Sequence, residues 1–137
     1  MIRKTIAGAL LLGLAAGCHG GDTSRAMPRL AGPAGIARAA ECHAALQALA
    51  DAYSRLAERS SGAERGRLAN QAIERELDAA AYRLEADRIG AEIGYSGAQV
   101  DRLLIDAARE RQARPPDTSA GELARQPERC PPPEPGA

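Results

Sequence analysis

The segment from Leu68 to Gln112 constrains the fold more than any other part of the sequence. Apolar residues recur in it at spacings of four, three and four, which places each set on one face of a helix. The first set is Ile73, Leu77, Ala80 and Leu84, and the second, on the opposite face, is Tyr82, Ala86, Ile89 and Ile93. A helix that is apolar on two sides must be covered on two sides. The pattern therefore predicts the middle helix of a small bundle.

The turn Gly94-Tyr95-Ser96 is predicted to connect this helix to another one. Gly94 can adopt the left-handed backbone conformation that ends many helices. Ser96 and Gln99 have the spacing of a capping box, in which each side chain binds a free amide of the new helix. The apolar stripe that follows is Val100, Leu103, Leu104, Ala107 and Ala108. We expect this last helix to fold back on the preceding one and to stop at Arg114-Pro115-Pro116.

A first helix is predicted from about Pro33 or Ala34 to the sequence Ser60-Ser61-Gly62. Its apolar stripe is Cys42, Leu46, Leu49, Tyr53 and Leu56. Ser61 and Glu64 have the spacing of a second capping box, which would begin the middle helix. The sequence thus predicts an all-α fold, a small three-helix bundle over residues 34–113. It is preceded by a flexible tether over residues 18–33 and followed by a Pro-rich tail over residues 114–137.

Residues 1–17 have the pattern of a cleaved leader. Arg3 and Lys4 are followed by an apolar run that is too short to span a bilayer. The run ends in Leu14-Ala15-Ala16-Gly17-Cys18, which resembles the lipobox of bacterial lipoproteins, with Ala15 where that motif favours Leu. The resemblance implies that Cys18 becomes the lipidated N-terminus. Cleavage by an ordinary signal peptidase is the alternative, because Ala15 and Gly17 are also the small residues that such a site requires.

The same resemblance implies a place and a partner. It predicts a lipoprotein of the bacterial cell envelope that faces the periplasm and is bound to the membrane through its N-terminal lipid. His19 in the position after the lipidated residue, where Asp would retain a lipoprotein at the inner membrane, implies the outer membrane. We expect an unidentified envelope protein as partner and no nucleic acid. Loss of Arg3 and Lys4 leaves 16 basic against 18 acidic residues, so the mature chain has no basic surplus to neutralise phosphates.

Two cysteines remain once Cys18 carries lipid. They are Cys42, on the stripe of the first helix, and Cys130, just before the Pro-rich end of the chain. An even number of cysteines in an exported chain favours a disulfide. The sequence therefore predicts a Cys42–Cys130 bond that holds the tail against the first helix. Two free thiols and a cross-link between chains are the competing interpretations.

Two short motifs suggest other functions. The segment from Ile89 to Val100 looks like the core of a helix-turn-helix DNA-binding motif, although any capped helix hairpin produces the same pattern. The segment Ala39-Ala40-Glu41-Cys42-His43 resembles the single-cysteine variant, A-x-x-C-H, of the c-type haem attachment motif. It would make the protein an exported haem or ligand carrier. A structural cysteine beside a surface histidine is the interpretation that the sequence favours.

The residues of the chain do not combine into a catalytic set. There are two histidines, no lysine beyond Lys4, and no visible nucleophile with a base and a residue to orient it. Glu74 and Asp78 are four residues apart on a helix, but Arg75 lies between them, which is typical of a solvated charged face. The sequence predicts no enzyme, no cofactor and no metal site. It favours a binding, accessory or structural module of the envelope.

Overall fold

A computed structural model describes residues 29–113, 125 and 128–133 of the chain. Its helices are α1 (Gly32–Glu58), α2 (Gly62–Glu92) and α3 (Gly97–Ala113), and the described residues include no strand. The predicted all-α three-helix bundle is confirmed. The leader, Cys18, residues 19–28 of the tether and residues 114–124, 126–127 and 134–137 of the tail lie outside the described residues.

Small side chains let α1 and α2 pack closely along their length. Most of the buried side chains between them are alanines, with a few larger residues at intervals. The central core consists of Ile36, Ala39, Ala40, Cys42, Leu46, Ala79, Tyr82, Ala86, Ile89, Val100, Leu104 and Cys130. We predicted that α3 would fold back on α2, but α3 packs more extensively against α1 than against α2. Val100 and Leu104 of α3 are buried where the two longer helices meet, and most of the contact that α3 makes there is with α1.

The turn between α2 and α3 has the predicted geometry. Gly94 has φ +81°. The Tyr95 amide donates to the Gly90 carbonyl at 2.8 Å and the Gly94 amide donates to the Ala91 carbonyl at 3.3 Å, which together form a Schellman motif. The Ser96 amide donates to Gln99 Oε1 at 2.8 Å, and the Gln99 amide donates to Ser96 Oγ at 3.3 Å. The capping box at Ser96 is therefore confirmed.

The capping box predicted at Ser61 is wrong. Ser61 precedes α2, but its side chain makes no capping hydrogen bond. Glu64, its expected partner, instead pairs with Arg67 at 3.0 Å. Gly62, the first residue of α2, has φ +59°. The residues that follow a cap normally have helical backbone angles, and this left-handed residue departs from them.

The prediction that α2 is covered on two sides is also wrong. Its Tyr82 face is buried, but Ile73, Leu77 and Leu84 are 55%, 66% and 70% exposed, and Ala80 is exposed as well. The reason is that α1 and α3 both pack on the Tyr82 side, so that none of the described elements covers the other side. The far end of the α1 stripe is open too, since Leu56 is 41% exposed. With 17 residues, α3 is too short to reach along the whole α1–α2 pair.

Candidate functional site

The structure joins Cys42 and Cys130 in a disulfide bond. Their Cα atoms are 5.5 Å apart, within the usual range for such a bond, and both residues are buried. The predicted pairing is present, and it places the tail against the middle of α1. The sequence had indicated the bond through the even number of body cysteines.

Two hydrogen bonds hold the tail around this disulfide. The Tyr82 hydroxyl donates to the Pro131 carbonyl, and Arg38 Nη2 donates to the Arg129 carbonyl at 2.6 Å. Burial raises the pKa of the Tyr82 phenol, although the charge of nearby Arg38 acts in the opposite direction. Sequence reasoning missed both bonds. The available signal was Tyr82 itself, because a buried tyrosine hydroxyl usually has a hydrogen-bond partner.

The segment of α1 that resembles a haem attachment motif links α1 to the tail and to α2. Cys42 is in the disulfide, and therefore has no free thiol for a thioether link to haem while that bond is intact. His43 is half-buried, and its Nδ1 lies 2.8 Å from the carbonyl oxygen of Ala79 on α2. Since a carbonyl can only accept, Nδ1 carries the proton of this bond. Within the described parts of the chain, no three His, Cys, Asp or Glu residues form a group suited to a metal ion.

The paired carboxylates of α2 are neutralised by the arginine between them. Arg75 lies 2.9 Å from Asp78 and 3.5 Å from Glu74. Both carboxylates are therefore engaged with the same guanidinium, an arrangement that is usual on a charged helix surface. The interpretation of this segment as a charged face is consistent with these contacts.

Arg88 connects α2 to the residues that precede α1. Its guanidinium pairs with Glu85 and Glu92, each at 2.5 Å, and donates to the Leu30 carbonyl at 2.9 Å. The hydrogen bond from Arg88 lowers the pKa of Glu85, while its two carboxylate partners raise the pKa of Arg88. The two ion pairs follow from the sequence spacing. The contact with Leu30 does not, because the two residues are 58 positions apart.

The start of α3 has few features of a DNA-reading helix. In a helix-turn-helix motif the first residues of the second helix contact base edges. Here the Gln99 side chain is bonded to the Ser96 amide, and Asp101 is paired with Arg83 of α2 at 2.5 Å. The first basic residue of α3 is Arg102. The side chains of Gln99 and Asp101 at the start of α3 thus stabilise the connection between α2 and α3.

Four exposed apolar residues form a row on α2, which we call the outer stripe: Ile73, Leu77, Ala80 and Leu84. At 3.6 residues per turn, its centre lies about 150° around the helix from the buried Tyr82 face, and it extends for about 16 Å. Glu76 and Arg83 border it on one side, and Glu74, Ala81 and Arg88 border it on the other. An exposed apolar row with charged borders is typical of a surface that binds another molecule.

None of the described helices is long and apolar enough to cross a membrane. Comparisons of the chain with protein-family models, with curated proteins and with solved structures find no match. The outer stripe has no nucleophile and no metal ligand set, and it offers apolar area in helical register, which suits the binding of another helix.

Proposed function

We propose that this protein is a non-enzymatic binding module of the bacterial cell envelope, exported and held at the membrane by a lipid on Cys18. The observation that carries the proposal is the outer stripe of α2. Large apolar side chains exposed in a row favour aggregation, and their usual explanation is a partner that covers them.

The disulfide supports the exported location. A buried bond between Cys42 and Cys130 suits an oxidising compartment, because disulfides are rare where the cytosol keeps thiols reduced. A lipid at Cys18 would tether the bundle to the membrane without burying it. The stripe would then be presented to other envelope components within the reach of the tether.

Processing at Cys18 is tested by intact mass spectrometry of the protein isolated from its native membrane. We expect a chain that begins at Cys18 and carries lipid. The Cys18→Ser variant should be recovered without lipid. A mature chain that begins elsewhere, or one that retains Met1, would contradict the anchor.

The binding role is tested by capture from solubilised envelope with the tagged full-length protein. We expect that Leu77→Glu, which places a charge in the middle of the outer stripe, loses the bound component. Ile105→Glu is the matched control, because Ile105 is a comparably exposed apolar residue, at 52%, on α3. If the parent and both variants capture the same components to the same extent, the stripe is not the binding surface.

A further inference from the structure

We infer that the outer stripe binds a second copy of this chain, with the two α2 helices antiparallel across a two-fold axis. The inference depends on the proposed function only in taking the stripe as a binding surface. It adds the identity of the occupant and the direction in which it lies.

The spacing of the outer stripe is that of a coiled-coil seam. Ile73, Leu77, Ala80 and Leu84 alternate steps of four and three, so Leu77 and Leu84 take the a positions of a heptad and Ile73 and Ala80 take the d positions. In an antiparallel pair, an a residue of one helix lies opposite a d residue of the other. Leu77 then lies opposite Ala80 of the second copy, and Ile73 lies opposite Leu84. Two-fold symmetry repeats both contacts and gives four apolar layers from one self-complementary surface.

The charges that border the stripe fit this arrangement. Glu76 and Arg83 occupy g positions, which face each other in an antiparallel pair. Glu76 of one copy then lies beside Arg83 of the other, and symmetry forms the pair twice. Glu76 is exposed, and no ion pair among the described residues includes it. Arg83 contacts Asp87 at 3.6 Å and Asp101 at 2.5 Å, and its side chain remains 44% exposed.

The parallel arrangement places like charges together. It would set Asp87, at the next d position, against Asp87 of the second copy within the seam itself. The antiparallel pair opposes like charges only near its ends, where Arg67 lies opposite Arg88. Each of these arginines is already paired on its own helix, Arg67 with Glu64 at 3.0 Å and Arg88 with Glu85 and Glu92 at 2.5 Å. The charge pattern thus selects the antiparallel orientation.

The chain offers no better occupant of its own. Residues 114–124 contain one large apolar side chain, that of Leu123, together with two prolines, and cannot supply four apolar layers. The apolar run of residues 6–16 is removed if the leader is cleaved as proposed. A seam of four layers makes a small interface, so we expect a weak dimer in solution that is strengthened when lipid anchors concentrate the chains on one membrane.

The occupant is identified by placing a photo-cross-linking amino acid at Ala80 in the full-length protein and irradiating native envelope. We expect a product with the mass of two copies. A cross-link to a different protein would overturn the second copy as occupant and leave the proposed function intact. A cross-link within one chain, or none, would overturn both. The same residue placed at Ile105 is the control for random collisions and should give little dimer.

The orientation is tested by charge exchange, measured by sedimentation equilibrium of the disulfide-bonded mature chain, which begins at residue 18 and carries Cys18→Ser in place of the lipidated residue. We expect Glu76→Arg alone and Arg83→Glu alone each to weaken dimerisation about tenfold, because each places like charges together at two sites. Mixing the two variants should restore association, since both cross-pairs are then of opposite charge. Thermal melts check that each variant is folded. A mixture that associates no better than its components would overturn the antiparallel pairing. A parent that remains monomeric at all concentrations, together with the absence of a two-copy cross-link in native envelope, would overturn the dimer.

Discussion

Gly90 lies where α2 meets both α3 and the first turns of α1. A Cβ atom added at this position would lie 2.5 Å from Val100 Cγ2 and 3.5 Å from Ile36 Cδ1. The Val100 side chain is branched and buried, and therefore has little room to move away. Glycine within a helix costs about 1 kcal/mol relative to alanine. That cost is offset here by the close approach of α3.

We predict that Gly90→Ala lowers the free energy of unfolding by about 1–3 kcal/mol, as overpacking does in well-packed cores. Gly66→Ala is the matched control on the same helix, because a Cβ atom there would meet nothing within 4 Å. It should raise the free energy of unfolding by about 0.5–1 kcal/mol. Urea unfolding followed by circular dichroism measures both changes. If Gly90→Ala is as stable as Gly66→Ala, α3 does not pack against Gly90 as described.

Two serines with the same local sequence signal behave differently at the helix starts. Ser96 and Gln99 form reciprocal hydrogen bonds at the start of α3, whereas the Ser61 side chain makes no capping bond at the start of α2. We predict that Ser96→Ala lowers the free energy of unfolding by about 1 kcal/mol. Ser61→Ala should change it by a few tenths at most. Thermal melts of both variants check this, and equal losses would contradict the difference in capping.

Local sequence patterns predict the helices and the turn correctly, but they predict less well which helix faces are buried. The stripe through Cys42, Leu46 and Leu49 is buried as expected. The turn at Gly94 was predictable because the residues that determine it lie next to one another in the sequence. The same periodicity placed Ile73, Leu77 and Leu84 on one face correctly but gave a false prediction that they are covered. Spacing determines which residues share a helix face. Whether another helix reaches that face depends on the lengths and directions of the other elements.

Among the long-range contacts around the disulfide, the sequence predicts only the disulfide itself, because a cysteine pairs specifically with another cysteine. The sequence predicts the Cys42–Cys130 pair because an even number of cysteines, in a chain that we expect to be exported, favours a disulfide. The bonds from Arg38 to Arg129 and from Tyr82 to Pro131 join residues 91 and 49 positions apart, and backbone carbonyls carry no sequence signal. The spacing identifies the outer stripe as an apolar row, and the structure adds that this row is exposed.

At the scale of the whole molecule, the disulfide bond closes a loop that contains most of the folded residues. The core is rich in alanine and the chain has no Phe or Trp, so that little apolar area is buried per residue. Domains this small often need a covalent link to remain folded. The Cys42–Cys130 bond spans 88 positions and encloses α2 and α3 entirely. In the chain-entropy description, a loop of this length stabilises the fold by about 4–5 kcal/mol.

We therefore predict that reduction, or replacement of both cysteines in Cys42→Ala with Cys130→Ala, lowers the free energy of unfolding by up to about 4–5 kcal/mol. Tyr82→Phe in the oxidised protein distinguishes the effect of the disulfide from that of the hydrogen bond to Pro131. It should lower the free energy of unfolding by about 1 kcal/mol, because that hydrogen bond is lost. Urea unfolding with and without reductant measures both, after alkylation has established the state of the thiols. Two thiols that react without reductant would contradict the bond itself. If the bond is present and the oxidised and reduced proteins unfold at the same urea concentration, the helices hold the fold unaided and the disulfide serves only to fasten the tail.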